Sequence, residues 1–163
     1  TGSTTDMYYC LYDSPLGEII ISSDGAAVTG LWFRGQKYEC AGLKTAEENP
    51  ALLVFALCRS WLDAYFGGTP LPPAPPLSPK GTEFQQRVWE ALLDVPCGST
   101  LSYGELARRL GCKSARAVGG AVGRNPISIL IPCHRVLGSG GKLTGYAGGL
   151  ERKKYLLELE NII

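Results

Sequence analysis

The chain has 163 residues, 45% of them apolar and 19% charged, with a net charge of +1. That is enough to bury one full core or two small ones, and unlike the composition of a disordered or collagen-like chain. The apolar run from Ala51 to Cys58 is far short of the roughly 20 residues that cross a bilayer. Nothing in Thr1 to Asp6 has a secretion-signal pattern, so a protein of the cytoplasm, or of the nucleus in a eukaryote, is expected, with no membrane partner.

Charge is divided unevenly. Residues 1–80 hold five Lys/Arg against eight Asp/Glu, and residues 81–163 hold eleven against seven. Arg87, Arg108, Arg109, Lys113, Arg116, Arg124, Arg135 and Lys142 give the second half a modest footprint for a polyanion, or an ordinary solvated basic face. Cys10, Cys40, Cys58, Cys97, Cys112 and Cys133 are scattered, with no CxxC pair and one histidine in the chain, so no disulfide framework is expected and no metal site, the alternative being zinc held by distant cysteines.

In chain order, Met7–Tyr12, Glu18–Ser22 and Ala27–Phe33 read as strands of a small antiparallel meander, turned at Ser14–Gly17 and Asp24–Gly25. Asn49-Pro50 suits the N-cap and first turn of a helix, with Leu52, Leu53, Ala56, Leu57, Leu62, Tyr65 and Phe66 at helical spacing and Gly67-Gly68 as its stop. Thr69–Lys80 contains six prolines and reads as a stiff connector, ahead of an SH3-type ligand reading. The domain boundary is placed there, giving domains 1–80 and 81–163.

The second half is mostly helical. Thr82 caps a helix running to about Asp94, with Phe84, Val88, Trp89, Leu92 and Leu93 inward. Ser102-Tyr103-Gly104-Glu105 matches a capping box at the start of a short helix, and Ser114 caps another through about Arg124. The pair fits a helix-turn-helix or an ordinary helix hairpin equally well. The second helix is nearly bald: Ala115, Ala117, Gly119, Gly120, Ala121 and Gly123 stand beside Arg116 and Arg124. Interior glycine costs roughly 0.5–1 kcal/mol relative to alanine, so close packing on a neighbour or entry into a nucleic-acid groove is implied.

Ile131-Pro132-Cys133-His134-Arg135-Val136 then joins a cysteine to the sole histidine inside an apolar run, after Asn125-Pro126 has set a rigid turn. A free thiol has a pKa of roughly 8.5 and reacts as its thiolate, so an imidazole that takes the proton, directly or through water, makes a nucleophile. Glycine-rich loops carrying Tyr146 follow, and Leu150–Asn161 reads as a helix with Tyr155, Leu156, Leu157 and Leu159 inward. Glu160 in its last turn is unfavourable to the helix dipole, so it is either exposed or paired with a cation such as His134.

Taken together, Ser102–Ala107, Ala115–Gly119, Asn125-Pro126, Ile131–Val136, Gly145-Tyr146 and Leu156–Glu160 resemble the O6-alkylguanine-DNA alkyltransferase family, closely over 81–163 and only in size and element order over 1–80. The resemblance implies an α/β architecture: a small N-terminal antiparallel β-sheet plus helix, a Pro-rich linker, and a C-terminal, mostly helical, winged helix-turn-helix-like domain with the active site. It implies a monomer acting on double-stranded DNA that contains O6-alkylguanine, with O4-alkylthymine as a second lesion, bound through the minor groove. The damaged nucleotide is flipped out and its alkyl group moved irreversibly to Cys133, with no cofactor.

By the same resemblance His134 is the water-mediated base, Glu160 orients it, and Asn125 holds the turn. Tyr103, Arg116, Ala117, Gln85 and Ser139 would meet DNA, and Tyr146, Val136, Thr144 and Ser128 would line the base pocket, with Ser139 close to it. The family's zinc histidines have no counterpart here. A papain-like hydrolase would place its Cys and His far apart, and a plain helix-turn-helix regulator leaves Cys133-His134 unexplained. A lesion-binding relative without transfer activity would lack the cysteine that this chain has.

Overall fold

In the computed structural model, which describes residues 7–41, 43 and 45–163, the chain divides into two compact units, the first ending at Pro79 and the second beginning at Lys80. The first six residues, read above for a signal pattern, lie outside the described residues, and no helix among the described residues is long and apolar enough to cross a membrane.

In the first unit, β1 (Tyr8–Ser14), β2 (Gly17–Ser23) and β3 (Val28–Phe33) form the expected meander, with Cys10 opposite Ile21 and Ile19 opposite Phe33. A short β4 (Glu47–Glu48) adds to β1 in parallel, so the sheet is mixed, in the order β3-β2-β1-β4. That addition displaces the expected helix start. The Asn49 N–H donates to the Tyr9 carbonyl at the end of the parallel pair, and α1 (Leu53–Gly67) begins after Leu52, with no side-chain cap.

The buried face of α1 is also rotated from expectation. Val54, Phe55, Cys58, Trp61, Leu62 and Tyr65 are buried, whereas Leu53 and Leu57 are exposed. This helix has apolar residues on both sides, so spacing alone does not select the face that meets the sheet. Gly68 closes it in the left-handed region, at φ 71°.

The proline-rich stretch does more than connect. The Val28 N–H donates to the Pro76 carbonyl and the Ser78 N–H to the Val28 carbonyl, both at 2.8 Å, so Leu77 bridges β3 in parallel. β3 is an edge strand, and a segment in which only Leu77 and Ser78, between Pro76 and Pro79, carry an N–H covers that edge without extending the sheet.

In the second unit, α2 (Glu83–Leu93) starts on a capping box between Thr82 and Gln85, and α3 (Tyr103–Arg109) on the expected one between Ser102 and Glu105. α4 (Ala115–Gly123) is capped by Ser114. Val88, Trp89 and Leu92 of α2 are buried, but Leu93 is exposed. α4 packs on both α2 and α3, and the α3–turn–α4 arrangement turns at Gly111, at φ 66°. Two long side chains of α2 tie the set together: Trp89 Nε1 donates to the Ala121 carbonyl, and Arg87 Nη2 to the Leu110 carbonyl, each at 2.9 Å.

Gly81 lies under Trp89; a Cβ there would fall 2.4 Å from the indole. A two-stranded parallel pair, β5 (Leu101–Ser102) with β6 (Val136–Leu137), joins the start of α3 to the segment after Cys133. The closing helix α5 (Leu150–Leu159) buries Lys153, Leu156 and Leu157, while Tyr155, expected inward, is exposed.

Replacing Trp89 with Phe removes the indole donor and leaves a void at the α2–α4 contact. The expected cost is about 2 kcal/mol, read from urea unfolding. A variant as stable as the parent would contradict this role.

Candidate active site

The site begins where α4 ends. Asn125 is 4% exposed, and its carboxamide makes three local hydrogen bonds. Nδ2 donates to the Ile127 carbonyl at 3.3 Å and the Ile131 carbonyl at 2.9 Å, and Oδ1 accepts from the Ile127 N–H at 3.0 Å. The turn so closed holds Ile129 at φ 70°, a left-handed conformation that a β-branched residue rarely adopts. Cys133 to Arg135 then form a single 3₁₀ turn, with the Cys133 N–H bonded to the Ile131 carbonyl at 2.8 Å.

Cys133 is 5% exposed, and burial pushes its thiol pKa up. The Asn125 carboxamide, the Lys153 charge and its own backbone pull the other way. The neighbouring His134 is fully buried, with Nε2 at 2.5 Å from Glu160 Oε2. Burial draws the imidazole below its ordinary pKa, against the opposing pull of Glu160, so it is neutral at pH 7. Its Nδ1 is buried without a protein partner. Arg135 completes the cluster, with Nε on Glu160 Oε1 and Nη1 on the Val95 carbonyl, both at 2.7 Å. Glu160 therefore follows the paired alternative of the sequence reading, held by two partners.

The two phenols converge on the same thiol. Tyr146 and Tyr103 both have pKa values raised, first by burial and then by the Cys133 charge. The Tyr103 hydroxyl meets Thr144, and the Tyr146 hydroxyl, near Ser128, has no partner at bonding geometry. A buried thiol, a neutral imidazole with one nitrogen bound by a carboxylate, and two neighbouring phenols suit nucleophilic attack on an electrophilic carbon. Among the described residues no group of three or more His, Cys, Asp or Glu is arranged to hold a metal.

Known proteins agree with this chemistry. Residues 83–162 match the family described as "6-O-methylguanine DNA methyltransferase, DNA binding domain", and residues 7–79 match "6-O-methylguanine DNA methyltransferase, ribonuclease-like domain". The chain belongs to this methyltransferase family.

It is 52% identical over 149 residues to the methylated-DNA–protein-cysteine methyltransferase of Mycobacterium leprae, covering 91% of this chain and 88% of that one. To the protein of the same name from Haemophilus influenzae it is 46% identical over 160 residues, covering 97% and 88%. The crystal structure of Mycobacterium tuberculosis OGT in complex with DNA is similar at a TM-score of 0.86 and 45% identity, covering 94% of this chain and 92% of that one.

In this methyltransferase chain the residues singled out from sequence do not all fall in one place. Cys133, His134, Glu160 and Asn125 are gathered in one buried cluster; Tyr103 and Tyr146 feel the Cys133 charge, with Thr144 against the Tyr103 hydroxyl and Ser128 near that of Tyr146. Val136 is fully buried, and its carbonyl accepts from Lys153. Arg116 and Ala117 lie exposed on the first turn of α4. Ser139 is exposed on a second 3₁₀ turn, beside a cavity of about 230 Å³ that Thr100, Ser102, Glu105 and Leu137 also line and that Cys133 does not. Gln85 is drawn into the α2 capping box, where its Oε1 accepts from the Thr82 N–H at 3.0 Å.

Lys153 escaped the sequence reading. It is fully buried, and its three ammonium hydrogens go to the carbonyls of Val136, Thr144 and Gly145 at 2.6, 2.7 and 3.2 Å. Burial lowers its pKa to about 8, opposed by the Cys133 charge, so it remains an ammonium at pH 7. It ties the Thr144–Gly145 loop to the strand after the nucleophile and supplies the positive charge that favours a thiolate. The signal was its phase: Lys153 shares a face with Leu156, Leu157 and Glu160.

Lys153→Met should lose about 2 kcal/mol of stability, because the Val136 carbonyl is left buried without a partner. Labelling of Cys133 by a small alkylating reagent at pH 8, followed by peptide mass spectrometry, should slow as the charge opposing burial is removed. Unchanged labelling would show that Lys153 does not act on the thiol.

Proposed function

We propose that the protein repairs DNA by moving the alkyl group of O6-alkylguanine to its own Cys133, acting once per molecule. The observation that carries this reading is the buried Cys133 thiol beside a neutral His134 whose Nε2 is held by Glu160 and whose Nδ1 has no protein partner.

In the proposed reaction the thiol proton passes through a bridging water to His134 Nδ1, and Glu160 stabilises the imidazolium that forms. The thiolate then attacks the alkyl carbon in line, a C–S bond forms, and the C–O6 bond breaks with its electrons going to guanine, which takes up a proton. The product is a thioether. It lacks the carbonyl that lets water regenerate an acyl-enzyme, so the protein is consumed.

A cysteine buried this deeply does not reach a base inside a stacked duplex, so the nucleotide must leave the helix. The exposed start of α4 supports entry into the minor groove: Ala117 and the glycines leave its surface low, and Arg116 is the long side chain available to fill the vacated stack. Tyr103, the first residue of α3, would crowd the target phosphate; its burial and its response to the Cys133 charge support a place at the pocket. Tyr146, Val136, Thr144 and Ser128 would receive the base, and Ser139 would meet the backbone. A monomer suffices for each of these steps.

Titrating a duplex containing O6-methylguanine with the protein should remove lesions in a one-to-one ratio and then stop, and Cys133→Ala should remove none while still binding DNA. Repeated turnover would exclude the reading. Arg116→Ala should slow repair in duplex by at least about tenfold, while reaction with free O6-methylguanine base stays within about twofold. Equal losses on both substrates would remove Arg116 from the flipping step.

A further inference from the structure

The reaction above engages one oxygen of Glu160. The other is also held: Arg135 Nε donates to Oε1 at 2.7 Å, while His134 Nε2 lies 2.5 Å from Oε2. Arg135 is in turn fixed by the Val95 carbonyl, 2.7 Å from Nη1, in the segment that follows α2. Glu160 and Arg135 are 7% and 8% exposed, and His134 is fully buried.

This arrangement decides where the imidazole carries its proton. Burial favours the neutral form of a carboxyl group, and a nearby guanidinium, charged at every accessible pH, favours the anion. An ionised carboxylate only accepts hydrogen bonds, so His134 Nε2 must be the donor to it. A neutral imidazole protonated at Nε2 keeps its lone pair on Nδ1, and Nδ1 is the nitrogen left without a protein partner. Without Arg135, the carboxyl would be free to turn or to take the proton itself, and the tautomer would no longer be fixed.

We propose that Arg135 is a positioning residue for alkyl transfer: its bond to Glu160 fixes the Nε2–H tautomer of His134 and keeps Nδ1 as the nitrogen that accepts the thiol proton. This rests on the reading of Cys133 as alkyl acceptor and His134 as its base. In that step the S–H bond breaks and an Nδ1–H bond forms through the bridging water, with the Nε2–H retained on Glu160.

A pH signature follows from the surrounding charges. Glu160 and Lys153 face His134 from α5, and Arg135 faces it from its own turn. Cys133 and Tyr146 lie on the pocket side, with Arg152 against Tyr146, and Cys97 stands against Glu160 and Arg135 from the segment after α2. Burial and both cations, Arg135 and Lys153, oppose protonation of His134. Removing the Arg135 charge therefore makes the ring take up a proton more readily, and the acidic limb of the rate profile moves to higher pH. Lysine keeps the charge and loses the planar fork.

His134 is the chain's single histidine, so its ring nitrogens give unambiguous ¹⁵N NMR signals. At pH 7 the intact protein should show a neutral ring protonated at Nε2. In Arg135→Met the ring should become a tautomer mixture or an imidazolium. Alkylation of Cys133 by O6-methylguanine duplex should then slow by at least about tenfold, with the acidic limb moved up by about one pH unit.

Arg135→Lys should keep that limb near its original place. A parent ring protonated at Nδ1 would overturn the proposal, as would a folded Arg135→Met protein with unchanged ring signals and pH profile. Should Arg135→Met not fold, the parent tautomer and the lysine variant still decide. A parent protein that transfers no alkyl group would refute the Cys133 reading, and the ring signals would still judge Arg135.

Discussion

Three hydrogen bonds from the Asn125 carboxamide hold the second unit's chemistry in place. They close the turn that runs from the end of α4 to Ile131, with Ile129 kept in a conformation it would not choose. Helix and nucleophile are only ten residues apart, from Gly123 to Cys133. The turn makes that link rigid, so the exposed first turn of α4 and the buried thiol are parts of one body. No other side chain in that stretch can both accept from a backbone N–H and donate to two carbonyls. An aspartate in its place would face the two carbonyls with no donor.

Burial makes this a quiet site at rest. The thiol and both phenols are pushed toward their neutral forms, and His134 is likewise neutral. Charge is confined to Glu160 with Arg135 and to Lys153 with its three carbonyls. A protein that acts once gains from such restraint, since a permanently exposed thiolate would be lost to any passing oxidant or electrophile. Under the proposed reading, ionisation is left to the moment when a base fills the pocket, and the imidazole and ammonium beside the thiol supply it.

Much of this could be read from the chain. Ser102-Tyr103-Gly104-Glu105 announced its capping box, and Ser114 its cap, because those signals depend on a few neighbouring residues. The pairing of Glu160 with His134 was open from sequence, and the fold closes it. Other features depend on partners distant in sequence and stayed hidden. Asn49 looked like a helix cap until β1 claimed its N–H, and Leu53 and Leu57 looked like core until Val54 and Phe55 met the sheet. Lys153 sat inside Glu151-Arg152-Lys153-Lys154, a run that reads as solvated surface, although its three acceptors are supplied by residues eight to seventeen positions upstream.

Under the proposed function one sulfur among six cysteines receives the alkyl group. Incubating the protein with a duplex carrying O6-methylguanine with a deuterated methyl, then mapping every cysteine peptide by mass spectrometry, tests it most directly. A single label per protein is expected, wholly on the Cys133 peptide, with Cys10, Cys40, Cys58, Cys97 and Cys112 unmodified. Label on any other cysteine, or none on Cys133 after the lesion has disappeared, would contradict it.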